Sequence, residues 1–306
     1  MSGIPAQSYR GLAPAKLNLF LHINGQITEG KFQGYHELQT YFQLIEYGDW
    51  LQIDASQTPQ ITVQWQAGDE SILQQPPIIQ DDLIYRAAIA LQQIAIEQGK
   101  SPLGANILLQ KNTPIGGGMG GGSSAAATTL LALNRLWALD LSQPQLLELA
   151  VRLGADVPVF INQTGAWAEG VGERITPMTR PPNTEWFVVV VPQSVLLTRH
   201  GFAHPQLCRD TPKQDAPYTL SHWQTQAGNA FEPIACQEST AINDCFHALR
   251  AQAGFARLTG SGACLFAPVE SEAEGQRIAA NILNEIKAAK RVIVAKAFVT
   301  PACATA

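Results

Sequence analysis

The residues best suited to chemistry in this chain are six glycines within the seven positions 116–122, followed at once by Ser123 and Ser124. Glycine allows positive φ values and lets a ligand approach the main chain closely. The alanine-rich stretch after the serines favours a helix, whose first N–H groups lack internal partners and carry the positive end of the helix dipole. No Asp or Glu lies between residues 116 and 135. The tract therefore predicts a backbone site for phosphate groups.

Two known phosphate-loop motifs fit the tract poorly. A Walker loop needs a lysine before its serine, and this tract has none. Gly116, Gly118 and Gly121 match GxGxxG, but Asp140 follows a helical stretch, whereas the ribose-binding acid of a dinucleotide fold ends the next strand. A plain connector with Ser123 as a helix N-cap is the structural alternative. Six glycines argue against it, because each costs roughly 0.5–1 kcal/mol relative to alanine.

A predicted strand near the N-terminus carries a lysine and an asparagine on one face. In PAKLNLFLHI, residues 14–23, the strand period of two groups Lys16, Asn18, Phe20 and His22. Asp156 lies in a second apolar stretch, LGADVPVFI, where an unpaired buried carboxylate would be very costly. From these residues alone, a solvated strand face and a helix-cap or turn role for Asp156 remain open alternatives.

Thr259, Gly260, Ser261 and Gly262 form a turn of small residues between two apolar runs in RLTGSGACLFA. On its own this pattern favours an ordinary hairpin turn.

Composition is that of a globular protein large enough for two domains, with 306 residues, 46% of them apolar and 15% charged. A net charge of −5 with scattered Lys and Arg predicts no nucleic-acid partner. Apolar runs such as WFVVVV are far shorter than the roughly 18 residues of a membrane helix. Five cysteines without a CxxC pair, and no apolar leader, predict a reducing cytoplasmic or plastid-like compartment.

Hydrophobic periodicity predicts a mixed α+β chain whose pattern restarts after about residue 167. Residues 157–161 are predicted as a buried strand or turn, and residues 201–221 as a loop covering a site. Strands are predicted at 17–23, 49–55, 60–65, 106–112, 186–191 and 291–298, and helices at 83–98, 124–139, 144–153, 243–254 and 272–289.

In their order along the chain, PIGGGMGGGSSAA, LGADVPVF and LTGSGACLF resemble motifs of the GHMP small-molecule kinases. With PAKLNLFLHI, GYHELQT and AEGVGE, they resemble the branch of that family that acts on 4-diphosphocytidyl-2-C-methyl-D-erythritol, over about residues 10–300. The resemblance implies an α+β, two-domain GHMP kinase fold with its active site in the cleft between the domains. An N-terminal ribosomal S5-like α/β domain would span residues 1–166, and a C-terminal ferredoxin-like α+β domain would span residues 167–306.

The implied activity is ATP-dependent phosphorylation of the substrate's tertiary 2-hydroxyl, giving the 2-phosphate and ADP in non-mevalonate isoprenoid synthesis. The resemblance makes Asp156 the acceptor or orienter of the hydroxyl proton, with Lys16 as its partner and Asn18 beside Lys16. Mg²⁺ is inferred from phosphoryl-transfer chemistry, and no metal-ligand cluster is visible in the sequence. The residues implied to wrap the ATP phosphates are Pro114, Gly116, Gly117, Gly118, Gly120, Gly121, Gly122, Ser123 and Ser124.

On the substrate side, the resemblance implies that Tyr35 and Phe202 sandwich a cytosine while His36 reads its edge. Phe202 is assigned by its spacing from Pro192. The implied partners are a small-molecule substrate and ATP, with the chain as a monomer or homodimer. The implied substrate-binding set is completed by Asn18 and by the turn residues Thr259, Gly260, Ser261 and Gly262.

The sequence departs from the family at several positions. Asp82 stands where an asparagine near the adenine is common, Ala125 replaces an asparagine after the serines, and the link before Gly34 is longer by several residues. Two alternatives remain at this point. One is another GHMP kinase, acting on mevalonate derivatives, homoserine or a sugar; the other is a non-catalytic GHMP-fold protein that binds ATP or a metabolite and regulates a partner.

Overall fold

The computed structural model describes residues 8–56, 58–68, 76–101, 103–178, 180–181, 184–194, 196 and 198–298. Cys303 lies outside the described residues. The chain forms two compact units, each built from separate stretches of sequence. The first comprises residues 1–15, 47–115 and 120–162, and the second comprises residues 16–46, 116–119 and 163–306. The domain boundary after residue 166 stays a prediction.

The first unit combines strand pairs with a group of helices. It holds the beginning of β1 (Ser8–Gln26), the end of β2 (His36–Ser56), β3 (Ile61–Ala67) and β4 (Gly104–Lys111). β4 pairs antiparallel with β2 and parallel with β3. A 3-10 turn, Ile79–Asp81, precedes α1 (Leu83–Glu97), and α2 (Gly121–Leu136), α3 (Gln143–Leu153) and α4 (Val157–Ile161) follow β4.

Local sequence explains where these helices begin and which face they bury. Asp82 caps α1, because its carboxylate accepts a hydrogen bond from the N–H of Ile84 at 2.8 Å. Ser142 and Gln145 form a capping box at the start of α3. α1 and α2 pack against each other. The buried residues of α1 form an apolar stripe at helical spacing: Ile84, Ala87, Ala88, Leu91 and Ala95. α2 is instead buried on nearly all sides, because the whole run from Ser124 to Leu130 is buried.

The second unit contains the rest of β1 and β2 and two further groups of strands. The first part of β2 pairs antiparallel with β5 (Ala166–Gly170), which pairs with β6 (Arg174–Pro177). A four-stranded antiparallel sheet has the order β10 (Ala289–Lys296), β7 (Trp186–Pro192), β9 (Leu265–Val269) and β8 (Arg257–Leu258). The helices are α5 (Thr198–Ala203), α6 (Ala216–Ser221), α7 (Trp223–Gln226), α8 (Glu232–Glu238), α9 (Thr240–Ala253) and α10 (Glu272–Glu285).

The core of the second unit lies between the four-stranded sheet and the helices α8, α9 and α10. Val188 and Val190 of β7 and Leu265 of β9 are buried with Ile242 of α9 and Ile278 of α10. The run WFVVVV is therefore a strand buried by packing on its neighbours, as its apolar composition predicts.

The predicted mixed architecture is confirmed, and so is each predicted strand and helix at its approximate position. Two local predictions are wrong. Residues 157–161 form the helix α4, which has Pro158 in its first turn, where proline is favoured. All five residues of α4 are buried, and so short an apolar run has no periodicity that distinguishes helix from strand. Residues 201–221 also contain the end of α5 and all of α6.

Within the described ranges, the helices are all too short or too polar to cross a membrane.

Candidate active site

The glycine tract forms a turn that leads directly into α2. Gly116, Gly118 and Gly120 have φ values of 71°, 76° and 70°, which lie in the left-handed region that glycine adopts without strain. Gly120 is the N-cap of α2, and Ser123 lies in the first turn. The N-cap interpretation of Ser123 is therefore wrong.

The start of α2 is suited to an anion. No acidic side chain lies in its first turn, and the free N–H groups there carry the positive end of the helix dipole. Ser124 is fully buried, and its Oγ has no hydrogen-bond partner among the described residues. Because an unsatisfied buried hydroxyl is unfavourable, a polar group of a ligand would be stabilised beside it.

A buried ion pair, which the sequence analysis missed, supports the chain just before the glycine tract. Asp49 Oδ1 accepts hydrogen bonds from the N–H groups of Asn112 and Thr113, both at 2.7 Å, and Asp49 Oδ2 lies 2.6 Å from Lys111 Nζ. Lys111 also donates to the Thr113 hydroxyl. A Cβ on Gly121 would lie 2.0 Å from Thr113 Oγ1, so this cluster touches the first residue of α2. Two opposite charges in adjacent apolar strands are the signal that could have revealed it.

Lys16 and Asn18 share one face of β1, as predicted, but that face is buried rather than solvated. Lys16 is 3% exposed and Asn18 is 2% exposed. Lys16 Nζ donates to Asn18 Oδ1 and lies 5.2 Å from the centroid of the Phe42 ring. Asn18 in turn donates through Nδ2 to Thr40 Oγ1 at 2.8 Å and through its backbone N–H to Thr259 Oγ1 at 3.0 Å. The solvated-face alternative is therefore wrong.

The turn of small residues joins this network to the glycine tract within the second unit. Thr259 Oγ1 donates to the carbonyl of Gly118 at 3.3 Å, and the N–H of Cys264 donates to the carbonyl of Gly117 at 3.2 Å. A Cβ on Gly118 would lie 2.1 Å from the Thr259 carbonyl oxygen. The turn does connect the hairpin strands β8 and β9. It is more than an ordinary hairpin turn, because it also packs on the glycine tract.

The other three residues of this turn are two left-handed glycines and Ser261, which lines a cavity. Gly260 and Gly262 have φ values of 58° and 95°. Ser261 lines a cavity of about 210 Å³ together with Phe231 and His204.

Asp156 immediately precedes α4 in the first unit. Its φ and ψ are −86° and −12°, it is half-buried, and its side chain makes no capping hydrogen bond to α4. Asp156 is therefore the N-cap residue of α4 and lies in a turn, as the helix-cap or turn alternative states, but its carboxylate does not provide the capping hydrogen bond.

The predicted base-reading residues lie in the second unit. The rings of His36 and Phe202 stack, with centroids 5.1 Å apart and an interplanar angle of 26°. Tyr35 is 61% exposed, and its ring meets that of Phe32 edge-on at 6.1 Å. The structure thus brings His36 and Phe202 together, whereas Tyr35 contacts Phe32. In this arrangement the imidazole of His36 occupies a face of Phe202, so the predicted sandwich of Tyr35, base and Phe202 stays a prediction.

Arg209 is a further residue of this group that the sequence analysis missed. Its Nε donates to Nε2 of His36 at 3.1 Å. Burial and, to a lesser extent, the Arg209 charge lower the pKa of His36 below its usual range. An arginine in a polar segment that is predicted as loop gives no signal in the sequence.

Both carboxylate oxygens of Asp82 accept hydrogen bonds within the first unit. Its Oδ1 caps α1, and its Oδ2 accepts a hydrogen bond from Nε1 of Trp65 at 2.8 Å. Ala125 is buried within α2. Among the described residues, no group of three or more His, Cys, Asp and Glu could hold a metal ion.

Comparisons with known proteins identify the family that this chain resembles. The family described as GHMP kinases N terminal domain matches residues 82–164, and that described as GHMP kinases C terminal matches residues 219–288. A 4-diphosphocytidyl-2-C-methyl-D-erythritol kinase from Vibrio cholerae serotype O1 is 42% identical over 276 residues, which cover 90% of this chain and 88% of that protein. The protein of the same name from Pasteurella multocida is 42% identical over 270 residues, covering 88% and 84%.

Among solved structures, a crystal structure of 4-(cytidine 5'-diphospho)-2C-methyl-D-erythritol kinase matches with a TM-score of 0.77 and 29% identity. The match covers 95% of this chain and 100% of that one.

Proposed function

This chain belongs to the 4-diphosphocytidyl-2-C-methyl-D-erythritol kinase family of the GHMP kinases, and we propose that it phosphorylates the 2-hydroxyl of that substrate. ATP is the phosphoryl donor, and the products are the 2-phosphate and ADP, in the non-mevalonate route to isoprenoid precursors. One observation carries the proposal. Within the second unit, hydrogen bonds run from Lys16 through Asn18 and Thr259 to Gly118, so residues assigned to the acceptor side are connected to the phosphate loop.

The proposed role of the glycine tract is to hold the ATP phosphates with backbone groups. Glycines with positive φ form the turn before α2, and they carry no side chains that would keep a phosphate from the backbone. The first turn of α2 offers N–H groups without helical partners. The Ser124 hydroxyl, buried without a partner among the described residues, would be satisfied by a phosphate oxygen or by a group bound to it. Ser123 lies one residue earlier in the same turn.

Lys16 and Asp156 are the proposed catalytic residues. Phosphoryl transfer passes through a loose transition state, so positioning and charge stabilisation matter more than a strong base. Lys16 would stabilise charge on the transferring phosphoryl group, and Asn18 would hold the ammonium in position. Asp156 would orient the substrate hydroxyl and accept its proton late in the reaction, and its carboxylate is not used to cap α4.

Mg²⁺ is the proposed metal, and it would enter with ATP. Mg²⁺ in kinases keeps several waters and is held by phosphate oxygens with one or two carboxylates, so no cluster of protein ligands is needed. The Ser124 hydroxyl and the Asp156 carboxylate, both in the first unit, are oxygen donors of the required kind. Bound Mg²⁺ would neutralise charge on the phosphates.

Tyr35, His36 and Phe202 are the proposed residues for the cytosine. Tyr35 has an exposed ring on which a base could stack, a contact worth roughly 1–3 kcal/mol. His36 would donate or accept at the pyrimidine edge. Phe202 stacks on His36, and the base could replace this contact or leave it intact. Gly260, Ser261 and Gly262 would line the substrate side together with Thr259.

ADP release by the purified protein tests the proposal. The assay contains ATP and Mg²⁺ with 4-diphosphocytidyl-2-C-methyl-D-erythritol, and parallel assays replace that acceptor by mevalonate, homoserine or galactose. We expect turnover with the cytidylyl acceptor alone. Turnover with a different acceptor would make the chain another GHMP kinase, and no turnover with any of the four would favour a binding protein. A cytoplasmic location and a monomeric or dimeric state remain part of the proposal.

A further inference from the structure

Arg209 lies in the segment between α5 and α6, and its guanidinium donates four hydrogen bonds within the second unit. Its Nε donates to His36 Nε2 at 3.1 Å. Its Nη1 donates to the carbonyl of Leu207 at 3.1 Å, and its Nη2 donates to the carbonyls of Phe202 and His204, both at 2.9 Å. Three backbone carbonyls thus fix the plane of the guanidinium, and its remaining edge is directed at one nitrogen of the imidazole.

This contact determines which nitrogen of His36 carries the proton. A neutral imidazole has one donor and one acceptor nitrogen, whereas a guanidinium has donors only. Because Arg209 donates to Nε2, Nε2 must be the acceptor and the proton must be on Nδ1. Nδ1 has no hydrogen-bond partner in the described part of the chain. The imidazole therefore offers a single donor, Nδ1–H, to a ligand.

Arg209 also fixes the orientation of the ring. Phe202 stacks on the imidazole, and the carbonyl of Phe202 is bound by Arg209. Phe202 is itself packed edge-to-face against Phe231, with centroids 4.9 Å apart. The ring of His36 is thus held on one face by Phe202 and at one edge by Arg209.

We propose that Arg209 is a positioning residue for nucleobase recognition, which presents His36 as the neutral Nδ1–H tautomer to an acceptor on the edge of a pyrimidine. The inference rests on the proposed function, because it takes the cytidylyl group as the ligand of His36. It goes further by naming the hydrogen-bond polarity of the contact and the residue that sets it. Phe202 stacks on the imidazole in this structure, and Tyr35 presents an exposed ring on which the base could stack.

Lysine cannot replace arginine in this role. Arginine presents its donors in a rigid planar fork, whereas a lysine ammonium is a single point on a flexible stem. One guanidinium here reaches His36 and the carbonyls of Phe202 and His204 together. Both Arg209→Gln and Arg209→Lys should therefore release the imidazole.

The first test reads the tautomer directly and needs no substrate. The protein is labelled with ¹⁵N-histidine, and the signals of His36 are assigned by their absence in His36→Gln. We expect an unprotonated Nε2 and a protonated Nδ1 in the wild type, and a mixture or the opposite tautomer in Arg209→Gln. An unchanged tautomer in a folded Arg209→Gln protein would overturn the proposal. If that variant does not fold, Arg209→Lys is read in the same way.

The second test measures the consequence for binding. In Arg209→Gln we expect KM for 4-diphosphocytidyl-2-C-methyl-D-erythritol to rise about tenfold, as the loss of one well-oriented hydrogen bond to the substrate would cause. The values of kcat and of KM for ATP should stay close to those of the wild type. Arg277→Gln is the matched control, because Arg277 is exposed on α10, and it should behave as the wild type.

A double variant distinguishes positioning from a general structural effect. If Arg209 acts through His36, adding Arg209→Gln to His36→Gln should raise KM for the cytidylyl substrate no further. A full additional rise would overturn the proposal, as would an equal fall in kcat with unchanged KM. If the wild type does not turn over the cytidylyl substrate, the proposed function fails, while the tautomer experiment still decides whether Arg209 fixes His36.

Discussion

Lys16 shows how a buried charge in an apolar strand becomes a functional group. Removing an ammonium from water is costly unless it is hydrogen-bonded, and Asn18 provides such a bond on the same strand face. The aromatic ring of Phe42, 5.2 Å away, adds a cation–π contact. A lysine held in this way loses little further entropy when it binds a phosphoryl group, which is the condition for electrostatic preorganisation.

The central residue-scale prediction concerns Asp156. Asp156→Asn keeps the shape of the side chain and removes the proton acceptor, so turnover should fall by at least about a hundredfold. The variant should remain folded at the assay temperature, because asparagine has the size and shape of the half-buried aspartate. Steady-state ADP release and thermal unfolding measure the two effects. Lys16→Met should lower turnover similarly, and wild-type turnover in either variant would refute that residue's assignment.

His22 gives a prediction about acid stability. Its Nε2 accepts a hydrogen bond from the N–H of Gly228 at 3.0 Å. Burial and then the charge of Arg257 lower its pKa to about 4, from an ordinary value of about 6.5. The folded state therefore prefers neutral His22. The contribution of neutral His22 to the free energy of unfolding is complete above about pH 6.5. Between about pH 6.5 and pH 4 it is lost at about 1.4 kcal/mol per pH unit.

The test is the free energy of unfolding in urea between pH 7 and pH 4.5. His22→Gln removes the titrating group, so its stability should fall less steeply with acid than that of the wild type. His247→Gln is the control, because His247 is exposed on α9, and it should keep the wild-type slope. Equal slopes for all three proteins would show that His22 does not titrate as described.

At the scale of elements, the turn before α2 depends on close backbone approach. Gly118 has a φ of 76°, and a Cβ there would lie 2.1 Å from the carbonyl oxygen of Thr259. Gly122 lies within α2, and the nearest atom to its Cβ position is Leu83 Cδ1, 3.9 Å away. Backbone conformation and packing therefore require glycine at position 118, whereas neither requires it at position 122.

Gly118→Ala should destabilise the protein by more than the roughly 1–2 kcal/mol of a left-handed non-glycine residue, because the turn must also move away from Thr259. Gly122→Ala should leave stability unchanged or raise it by about 0.5–1 kcal/mol. Thermal unfolding of both variants checks these expectations. Equal stability of Gly118→Ala and the wild type would contradict the packing described for the turn.

A buried ion pair between Asp49 of β2 and Lys111 of β4 lies just before the same turn in the chain. Asp49 binds the N–H groups of Asn112 and Thr113 and pairs with Lys111. Burial lowers the pKa of Lys111, and the Asp49 carboxylate opposes that shift. The pair therefore ties the end of β4 to β2 at the point where the chain enters the glycine tract.

Asp49→Asn should cost about 3–5 kcal/mol, the typical penalty for leaving one charge of a buried pair without its partner. Asp54→Asn on the same strand is the control. Its carboxylate accepts an exposed hydrogen bond from Gln52, so its effect should be within about 0.5 kcal/mol. Urea denaturation measures both values, and a small effect of Asp49→Asn would show that the pair does not support the turn.

For the whole molecule, the sequence predicts the fold class and the elements that carry the site, because these depend on local patterns and on the order of the motifs. The alternation around Lys16 and the glycine tract before α2 place both features correctly, because strand period and backbone freedom are local properties. The apolar run of α4 is ambiguous, because it is buried on all sides. The contacts of Asp49 with Thr113 and of Arg209 with His36 join residues 64 and 173 positions apart. Tertiary structure creates those contacts, and one sequence does not reveal them.

The most direct test of the central claim is the position of the new phosphate in the product. The substrate, labelled with ¹³C at carbon 2 of the erythritol, is incubated with the protein, ATP and Mg²⁺, and the product is examined by ³¹P and ¹³C NMR. We predict one new phosphate monoester coupled to the labelled carbon, formed together with an equal amount of ADP. A phosphate on another hydroxyl, or ADP formed without a phosphorylated acceptor, would contradict the proposed kinase reaction.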